Sequence, residues 1–238
     1  MPLDVIGNGE TVPGDDHTTN QLATILSAEE IDRSTRFAFE NSRREYIAAH
    51  ALCRVMLSTF SDTLPTDWRF ATGPHGRPEI TGPEAADKLR FNISHTRGMV
   101  CVAVTLGLDI GVDVEWTGRD NQLDDIARAK FSKPEVALLA DLPGPEKRDV
   151  FFSLWTLKEA YIKAIGKGLA EPLDGFAFSL DPPGVEFLNA QDTPQHWRFE
   201  SRQPAADYRS ALAVNTGAGK SVQIIRQTLD IVEFSRLL

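Results

Sequence analysis

The sequence predicts an α+β fold built from two similar subdomains, each combining a small, mostly antiparallel sheet with a long helix. Two observations support this prediction. Helical patterns followed by strand patterns occur twice along the 238 residues, and the second succession begins near residue 108. The strand patterns also follow one another through short turns, which is typical of hairpins. We therefore expect an N-terminal subdomain over residues 1–107 and a C-terminal subdomain over residues 108–238.

In the N-terminal half, the predicted helices precede the predicted strands along the chain. Residues 1–20 form a polar lead-in. Ser27 and Glu30 have the spacing of a capping box, which opens a predicted helix over residues 27–39. A second helical pattern covers residues 41–60. The strand patterns of this half lie at 89–95 and 99–106, joined by the turn Thr96-Arg97-Gly98.

The C-terminal half follows the same order after a first strand. The stretch DIGVDVEW at 109–116 predicts that strand, and the polar residues 117–125 predict a mobile connection. Pro134 suits the first turn of a helix over residues 133–142, and a longer helical pattern covers residues 151–165. Further strand patterns lie at 176–180, 196–200, 208–214 and 221–227.

The composition is that of a globular protein, with 42% hydrophobic and 25% charged residues. The net charge of −9 argues against a nucleic-acid binder, which needs a basic surface. The first 17 residues are acidic and contain no apolar run, so we expect no secretory signal. No run of about 18 apolar residues occurs, so we expect no membrane span. Cys53 and Cys101 lie in helical and strand patterns, which favours buried free thiols and a reducing cytoplasm.

The stretch WTLKEAYIKAIG at 155–166 predicts a mostly buried helix. Leu, Ala, Glu and Lys dominate it, and Pro is absent. At 100° per residue its apolar side chains cover most of the circumference. Thr156, Glu159 and Lys163 fall in one narrow polar strip, whereas Lys158 stands alone on the apolar side. A buried helix normally shows almost no polar face, so this strip needs an explanation.

The strand DIGVDVEW places two carboxylates on one face, because side chains alternate along a strand. Asp113 and Glu115 lie about 6–7 Å apart on that face, and an exposed strand face explains the pair on its own. If Glu159 packs over this strand, three carboxylates meet with no His or Cys beside them. Such an all-oxygen cluster favours Mg²⁺ held partly by substrate phosphates. Lys163 can reach the same phosphates, although an ordinary Glu159–Lys163 ion pair is the alternative.

Two further segments favour an anion. GPHGRP at 73–78 places Arg77 in a Gly-rich turn, whose backbone N–H groups can point at a phosphate; a plain hairpin turn is the alternative. NISH ends a strand pattern with Asn92, Ser94 and His95. Ser94 and His95 face opposite sides of the strand. Ligand contacts are therefore favoured over a nucleophile–base pair, which needs mutual hydrogen-bond reach.

Five blocks occur in one order: GPHGRP, FNISHTRG, GVDVEW, FSKPE and WTLKEAYIKAIGKGL. In this order they resemble the 4′-phosphopantetheinyl transferases of the larger single-chain, Sfp-type class, and the match covers about half of the chain. The resemblance implies a pseudo-dimeric fold of two similar α+β subdomains, with coenzyme A bound in the cleft between them. That expectation agrees with the repeated order of elements.

The resemblance implies a role for each matching residue. Asp113, Glu115 and Glu159 match the Mg²⁺ ligands of the family, and Lys163 matches a lysine that contacts the coenzyme A diphosphate. The expected contacts to the nucleotide and its phosphates, including the 3′-phosphate, are Arg33, Arg77, Asn92, Ser94 and His95. His50 departs from the pattern, since the family often has arginine at that position.

The implied reaction is the attack of a carrier-protein serine on the β-phosphorus of coenzyme A, with release of 3′,5′-ADP. The protein mainly positions the groups, and Mg²⁺ offsets charge on the diphosphate. Glu159, directly or through a metal-bound water, is the first candidate to accept the serine proton, and Glu135 in FSKPE is the second. A Mg²⁺-dependent nuclease or phosphohydrolase and a non-catalytic coenzyme A-binding module are the alternative functions.

The implied partner is an apo acyl, peptidyl or aryl carrier protein. Such carriers are generally acidic, so docking on this acidic chain needs a local positive patch. The predicted patch lies in ARAKFSK and consists of Arg128, Lys130, Phe131 and Lys133. A solvated helix end with Phe131 buried is the alternative. The internal duplication makes us expect a monomer.

Overall fold

The computed structural model describes residues 3–7, 16–73, 76–83, 88–119, 122–189, 192–217, 221–236 and 238, without the side chains of 3–7 and 169. The chain divides into two compact units. Unit 1 comprises Met1–Gly107 and Val222–Leu238, and unit 2 comprises Leu108–Ser221. Both units combine helices with small sheets, which confirms the predicted α+β class.

The helices and strands, in chain order, are as follows. The helices are α1 (Asp16–Ala23), α2 (Ala28–Ser34), α3 (Glu40–Ser58), α4 (Leu123–Lys130), α5 (Lys133–Ala140), α6 (Gly144–Ala164) and α7 (Ile231–Ser235). The strands are β1 (Leu3–Gly7), β2 (Arg69–Thr72), β3 (Pro78–Gly82), β4 (Leu89–Thr96), β5 (Met99–Leu106), β6 (Ile110–Trp116), β7 (Phe176–Leu180), β8 (Pro183–Phe187), β9 (Trp197–Arg202), β10 (Tyr208–Asn215) and β11 (Ile225–Leu229).

Unit 1 is built around a four-stranded sheet in the order β11-β1-β5-β4. β1 pairs in parallel with β11, whereas the β1–β5 and β4–β5 pairs are antiparallel. The 19-residue helix α3 packs on β4 and β5. Its Leu52 and Leu57 share one core with Phe91 and Val102 of those strands. The hairpin β2–β3 belongs to the same unit.

The predicted C-terminal boundary of the second subdomain is wrong. β11 pairs with β1 along all five residues of both strands, and Gln21 Nε2 in α1 donates to the Ser235 carbonyl oxygen at 2.7 Å. Residues 222–238 therefore belong to unit 1, and the predicted polar lead-in contains β1 and most of α1. A short strand whose partners lie far along the chain leaves little local signal, because strand preference depends on context.

Unit 2 pairs a three-stranded antiparallel sheet, in the order β6-β10-β9, with one long helix. The 21-residue helix α6 packs on β6 and β10. Its core is rich in aromatic rings, including Phe151, Phe152, Tyr161, Phe176 and Trp197. Both units thus follow the predicted plan of a small sheet packed with a long helix.

Gly111 allows α6 to lie directly on β6. A Cβ atom at this position would collide with the carbonyl oxygen of Ala160 and would lie 2.5 Å from the backbone nitrogen of Ala164. Only a residue without a side chain permits so close an approach of two backbones. The glycine of the GVDVEW block therefore sets the distance between the strand and the helix that carry the predicted acids.

Several predicted boundaries differ from the structure. The helix expected over residues 27–39 ends at Ser34, because the hydroxyl groups of Ser34 and Thr35 donate to carbonyl oxygens one turn earlier. The polar segment 117–125 leads into α4, which was not predicted, and α6 begins before residue 151.

Two expectations drawn from composition can be compared with the described residues. Cys53 and Cys101 are buried free thiols, as predicted. Among the described helices, none has the length and apolar character needed to cross a membrane.

Candidate active site

The acidic face of β6 meets the polar strip of α6. Gly111, Asp113 and Glu115 alternate along the strand and all face this helix, since each contacts a residue of α6. The helix runs opposite to the strand, so Lys163 lies beside Asp113 and Trp155 lies beside Glu115. The strip is thus polar because it packs against a row of carboxylates.

Asp113 is 4% exposed and is paired with a cation of α6. Lys163 Nζ lies 2.6 Å from Asp113 Oδ1 and donates a second bond to the carbonyl oxygen of Val112 at 3.2 Å. The alternative Glu159–Lys163 ion pair is therefore not what the structure shows. The lysine instead bridges from the helix to the strand.

Glu115 is held by two donors. Trp155 Nε1 donates to its Oε1 at 3.1 Å, and Arg119 Nη2 donates to its Oε2. Burial, followed by the neighbouring charge of Asp113, raises the pKa of Glu115 above its usual value. The carboxylate is thus partly buried beside a like charge, even with a guanidinium in contact.

Glu159 differs from the other two acids. Within the described part of the chain, no hydrogen bond or ion pair holds its carboxylate. Burial, followed by the charge of Asp113, raises its pKa to about 7. Three carboxylates close enough to influence one another therefore carry more negative charge than Lys163 and Arg119 offset.

The chemistry of these three carboxylates suits a hard divalent cation. All three side chains offer carboxylate oxygens, the ligands that Mg²⁺ prefers in proteins. Their mutual repulsion would be relieved by a positive ion. In this conformation, however, no three His, Cys, Asp or Glu side chains of the described residues converge in a metal-binding arrangement. Two of the acids are turned toward the cations that pair with them.

Glu135 has a structural environment, which argues against its predicted role as the second candidate base. It is 2% exposed, and it accepts bonds from the backbone N–H groups of Ser132 and Phe178 at 3.0 and 2.9 Å. Lys158 Nζ lies 2.8 Å from its Oε2. With its oxygens occupied by buried partners, this carboxylate is a poor acceptor for a proton that arrives from solvent.

Apart from Lys163 on α6, the predicted contacts to the nucleotide and its phosphates lie in unit 1, on three elements. Arg77 follows the turn of the β2–β3 hairpin, where Gly76 adopts a φ of 80°. On β4, Asn92 and Ser94 are buried on one face and His95 is exposed on the other, which confirms that Ser94 and His95 point to opposite sides. Pro74 and His75 of the predicted turn lie outside the described residues.

A cavity of about 390 Å³ opens beside the predicted phosphate contact Arg33. Aromatic rings of Tyr46, Trp68 and Phe70 line it together with Arg33. His50, whose role was open, also lines the cavity, and its Nδ1 lies 2.9 Å from Glu30. The cavity is also lined by Arg54, Arg69, Glu29 and Glu30, so it combines flat aromatic surfaces with three arginines and two glutamates. The excess of positive charge and the aromatic surfaces suit an aromatic phosphate-bearing ligand.

The predicted docking patch is wrong for one of its four members. Phe131 is 4% exposed and packs against Phe151 and Trp155 in the core of unit 2, so it cannot contact a partner. Lys130 and Lys133 are exposed, and Arg128 is exposed while paired with Asp125 at 2.5 Å. Phe131 is thus buried as in the alternative, and the role of the three basic residues stays a prediction.

Three residues that contact acids of this region, Trp155, Arg119 and Lys158, were given no role from the sequence. Trp155 could have been found, because it lies one turn before Glu159 and extends the polar strip. Both members of the Lys158–Glu135 pair also had a signal in the sequence. Ser132 and Glu135 have capping-box spacing, and Lys158 stands alone on the apolar side of its helix. Arg119 lies beyond the end of β6, and no pattern places its side chain.

Two family models match the chain in series. The model of the 4′-phosphopantetheinyl transferase superfamily matches residues 109–213. The model of the N-terminal part, described as "4′-phosphopantetheinyl transferase, N-terminal", matches residues 13–106. Together they span both units.

Curated relatives and one solved structure show further similarity. The chain is 34% identical over 193 residues to 4′-phosphopantetheinyl transferase HetI of Nostoc sp. (strain PCC 7120), covering 81% of this chain and 80% of that protein. It is 30% identical over 193 residues to 4′-phosphopantetheinyl transferase Sfp of Bacillus subtilis, covering 81% and 83%. The crystal structure of Thermotoga maritima holo-[acyl-carrier-protein] synthase matches with a TM-score of 0.37 and 19% identity over 45% of this chain and 62% of that chain, and no conclusion rests on it.

The five ordered blocks that suggested the resemblance all fall within the two matched ranges. Identity of 30% or more over most of both chains is sufficient to show common membership. The chain belongs to the 4′-phosphopantetheinyl transferase superfamily, and it is an enzyme that transfers the 4′-phosphopantetheinyl group.

Proposed function

We propose that this enzyme transfers the 4′-phosphopantetheine arm of coenzyme A to a serine hydroxyl of an apo carrier protein, with Mg²⁺ bound at Asp113, Glu115 and Glu159. The observation that supports the site is that Asp113 and Glu115 of β6 lie close enough to Glu159 of α6 for their charges to raise its pKa, while no side chain of the described residues forms an ion pair with Glu159. Family membership favours transfer over a phosphohydrolase or a non-catalytic binding module.

The positive side chains bind the charged parts of coenzyme A. Lys163, which bridges to Asp113, is assigned to the diphosphate. In unit 1 the contacts to the nucleotide and its phosphates are assigned to Arg33, Arg77, Asn92, Ser94 and His95. The cavity beside Arg33 supplies aromatic surfaces for a base.

Glu159 accepts the proton of the carrier serine. The serine oxygen forms a bond to the β-phosphorus, the bond between this phosphorus and the bridging oxygen breaks, and 3′,5′-ADP leaves with that oxygen. A divalent cation held by Asp113, Glu115 and Glu159 would offset negative charge on the diphosphate oxygens. Glu159 is preferred over Glu135 because no protein group among the described residues hydrogen-bonds its carboxylate, whereas Glu135 is enclosed by Ser132, Phe178 and Lys158.

The carrier protein docks through charge. Arg128, Lys130 and Lys133 are exposed on α4 and at the start of α5, and they offer a positive surface to an acidic partner. Phe131 is removed from the predicted patch because it is buried. The patch thus acts by electrostatic attraction rather than by an apolar anchor.

The test replaces the proposed base. Glu159→Gln should lower the rate of transfer by about 10²–10⁴-fold, the range of a general base, when coenzyme A, Mg²⁺ and an apo carrier protein are supplied. The mass of the carrier protein measures transfer directly. Glu186→Gln is the matched control, since Glu186 is an exposed acid of β8. Near-normal transfer by a folded Glu159→Gln enzyme would contradict the assignment.

A further inference from the structure

Arg119 occupies an oxygen of a proposed metal ligand. It lies four residues after Glu115, beyond the end of β6, and its Nη2 donates to Glu115 Oε2. Trp155 Nε1 takes the other oxygen at 3.1 Å. A divalent cation that binds Glu115 must therefore approach a carboxylate that already has a donor on each oxygen, one of them positively charged.

The backbone around Arg119 is fixed. Arg148 Nη1 donates to the carbonyl oxygens of Thr117 and Arg119, both at 2.7 Å. Because Arg148 belongs to α6, these bonds attach the segment after β6 to the helix that carries Trp155 and Glu159. The guanidinium of Arg119 therefore starts from a defined position close to the acids.

The side chain of Arg119 is held less firmly than its backbone. It is 38% exposed, and its guanidinium lies 5.5 Å from the centre of the Phe152 ring. Its buried Nε has no hydrogen-bond partner among the described residues. Since Nε makes no contact, the guanidinium does not form the bidentate pair through Nε and Nη that gives arginine its strongest contacts with carboxylates. A cation can therefore displace the Arg119 guanidinium from Glu115 more easily than it could displace a bidentate arginine.

We propose that Arg119 is an internal counter-ion of Glu115 that competes with the divalent cation and lowers the affinity of the site for it. The inference rests on the proposed function, because it takes Glu115 as a ligand. Two positive charges within about 4 Å of each other repel strongly in a partly buried site. The guanidinium must therefore leave Glu115, or shift on it, when the cation binds.

Lys163 shows why Arg119 is the better residue for a test. Lys163 pairs with Asp113 in a similar way, but it is also assigned to the substrate diphosphate. Its removal would alter two kinds of binding at once. Arg119 has no assigned contact with the substrate, so its effect on cation affinity can be measured without coenzyme A.

The experiment titrates the full-length protein with Mn²⁺ alone and follows free Mn²⁺ by electron paramagnetic resonance. Arg119→Ala should bind Mn²⁺ about tenfold more tightly than the wild type, because a nearby positive charge has been removed. Arg119→Lys should stay near the wild type, since it retains the charge. Arg198→Ala, which removes an exposed charge of β9 in the same unit, should change the affinity less than about twofold.

The possible failures can be told apart. If the wild type binds Mn²⁺, Asp113→Asn does not, and Arg119→Ala binds no more tightly than the wild type, the competition is disproved and the proposed metal site stands. An equal gain in Arg198→Ala would also overturn the inference, because the effect would then be one of net charge. If no variant binds Mn²⁺ at millimolar concentration, both the metal site and the competition are contradicted.

Discussion

The two units each bury a cation of their long helix against a glutamate from a capping box. In unit 1, Arg54 of α3 lies 2.8 Å from Glu30, which caps the start of α2. In unit 2, Lys158 of α6 lies 2.8 Å from Glu135, which caps the start of α5. The same arrangement thus attaches a short helix to a long one in both halves of the chain.

The two pairs differ in what surrounds them. The two cations are held alike, since Lys158 Nζ donates to the carbonyl oxygens of Leu173 and Phe176 and Arg54 Nη1 donates to those of Pro65 and Trp68. The difference lies in the glutamates: Glu135 uses its other oxygen to accept from the backbone N–H of Phe178 at 2.9 Å. Glu30 instead uses its second oxygen for His50, which lines the cavity beside Arg33. One pair therefore belongs to the core, whereas the other forms the wall of a proposed binding cavity. The comparison teaches that a shared local motif does not imply a shared role.

The largest expected loss of stability comes from breaking the Lys158–Glu135 pair. Lys158→Met should lower the free energy of unfolding by about 3–5 kcal/mol, because it leaves the charge of Glu135 buried without its counter-ion. Urea unfolding followed by tryptophan fluorescence measures this loss. The double variant Lys158→Met/Glu135→Gln should recover a large part of it, since both charges are then absent. A loss below about 1 kcal/mol in the single variant would mean that the pair is not enclosed.

A smaller loss of stability is expected when acid protonates Glu30 in the Arg54–Glu30 pair. Bonds from His50 and Ser27 and the charge of Arg54 outweigh the cost of burial and lower the pKa of Glu30 to about 2. A lowered pKa contributes stability that is present above about pH 4.5 and is lost as the pH falls toward 2. We expect a loss of about 2–3 kcal/mol over that range.

The measurement compares urea unfolding of the wild type and Glu30→Gln from pH 5 to pH 3. The variant should show a flatter dependence on pH, because its side chain no longer titrates. Glu186→Gln, which alters an exposed acid in unit 2, should keep the wild-type slope. Equal slopes in the wild type and Glu30→Gln would show that Glu30 does not carry the acid sensitivity.

The smallest effect is expected at the caps themselves. Ser27→Ala and Ser132→Ala should each cost about 0.5–2 kcal/mol, the usual range for an N-cap. Ser132→Ala should cost more, because its hydroxyl also donates to the buried Glu135 at 2.7 Å. Thermal unfolding of both variants ranks the two caps. The reverse order would show that the surroundings of Glu135 do not strengthen its cap.

Most elements of the fold could be predicted from the sequence because their signals are local. The strands β4, β5 and β6 and the helix α3 were found within two residues of their ends. The elements that were missed, β1, β2, β3, β8, α1, α4 and α7, are four to eight residues long. Short elements contain too few turns or alternations for a period to be recognised.

The candidate site could be predicted only in part. The alternation of β6 and the strip of α6 indicated which acids and which lysine share a face, and the structure brings Asp113 and Lys163 together. The contact of Arg119 with Glu115 and the burial of Phe131 followed from no pattern. Both depend on where a side chain turns once the helices have packed.

By itself the sequence determined the α+β class, the boundary near residue 108 and the residues available for chemistry. These properties follow from periodicity, turn residues and the ordered blocks, all of which act over short distances along the chain. Only the tertiary structure decided that residues 222–238 return to unit 1, that Glu135 is buried against Lys158, and that Glu159 is the acid of the three with no ion pair among the described residues. The physical reason is that burial and the pairing of charges depend on groups brought together from distant parts of the chain, and a local pattern does not record these contacts.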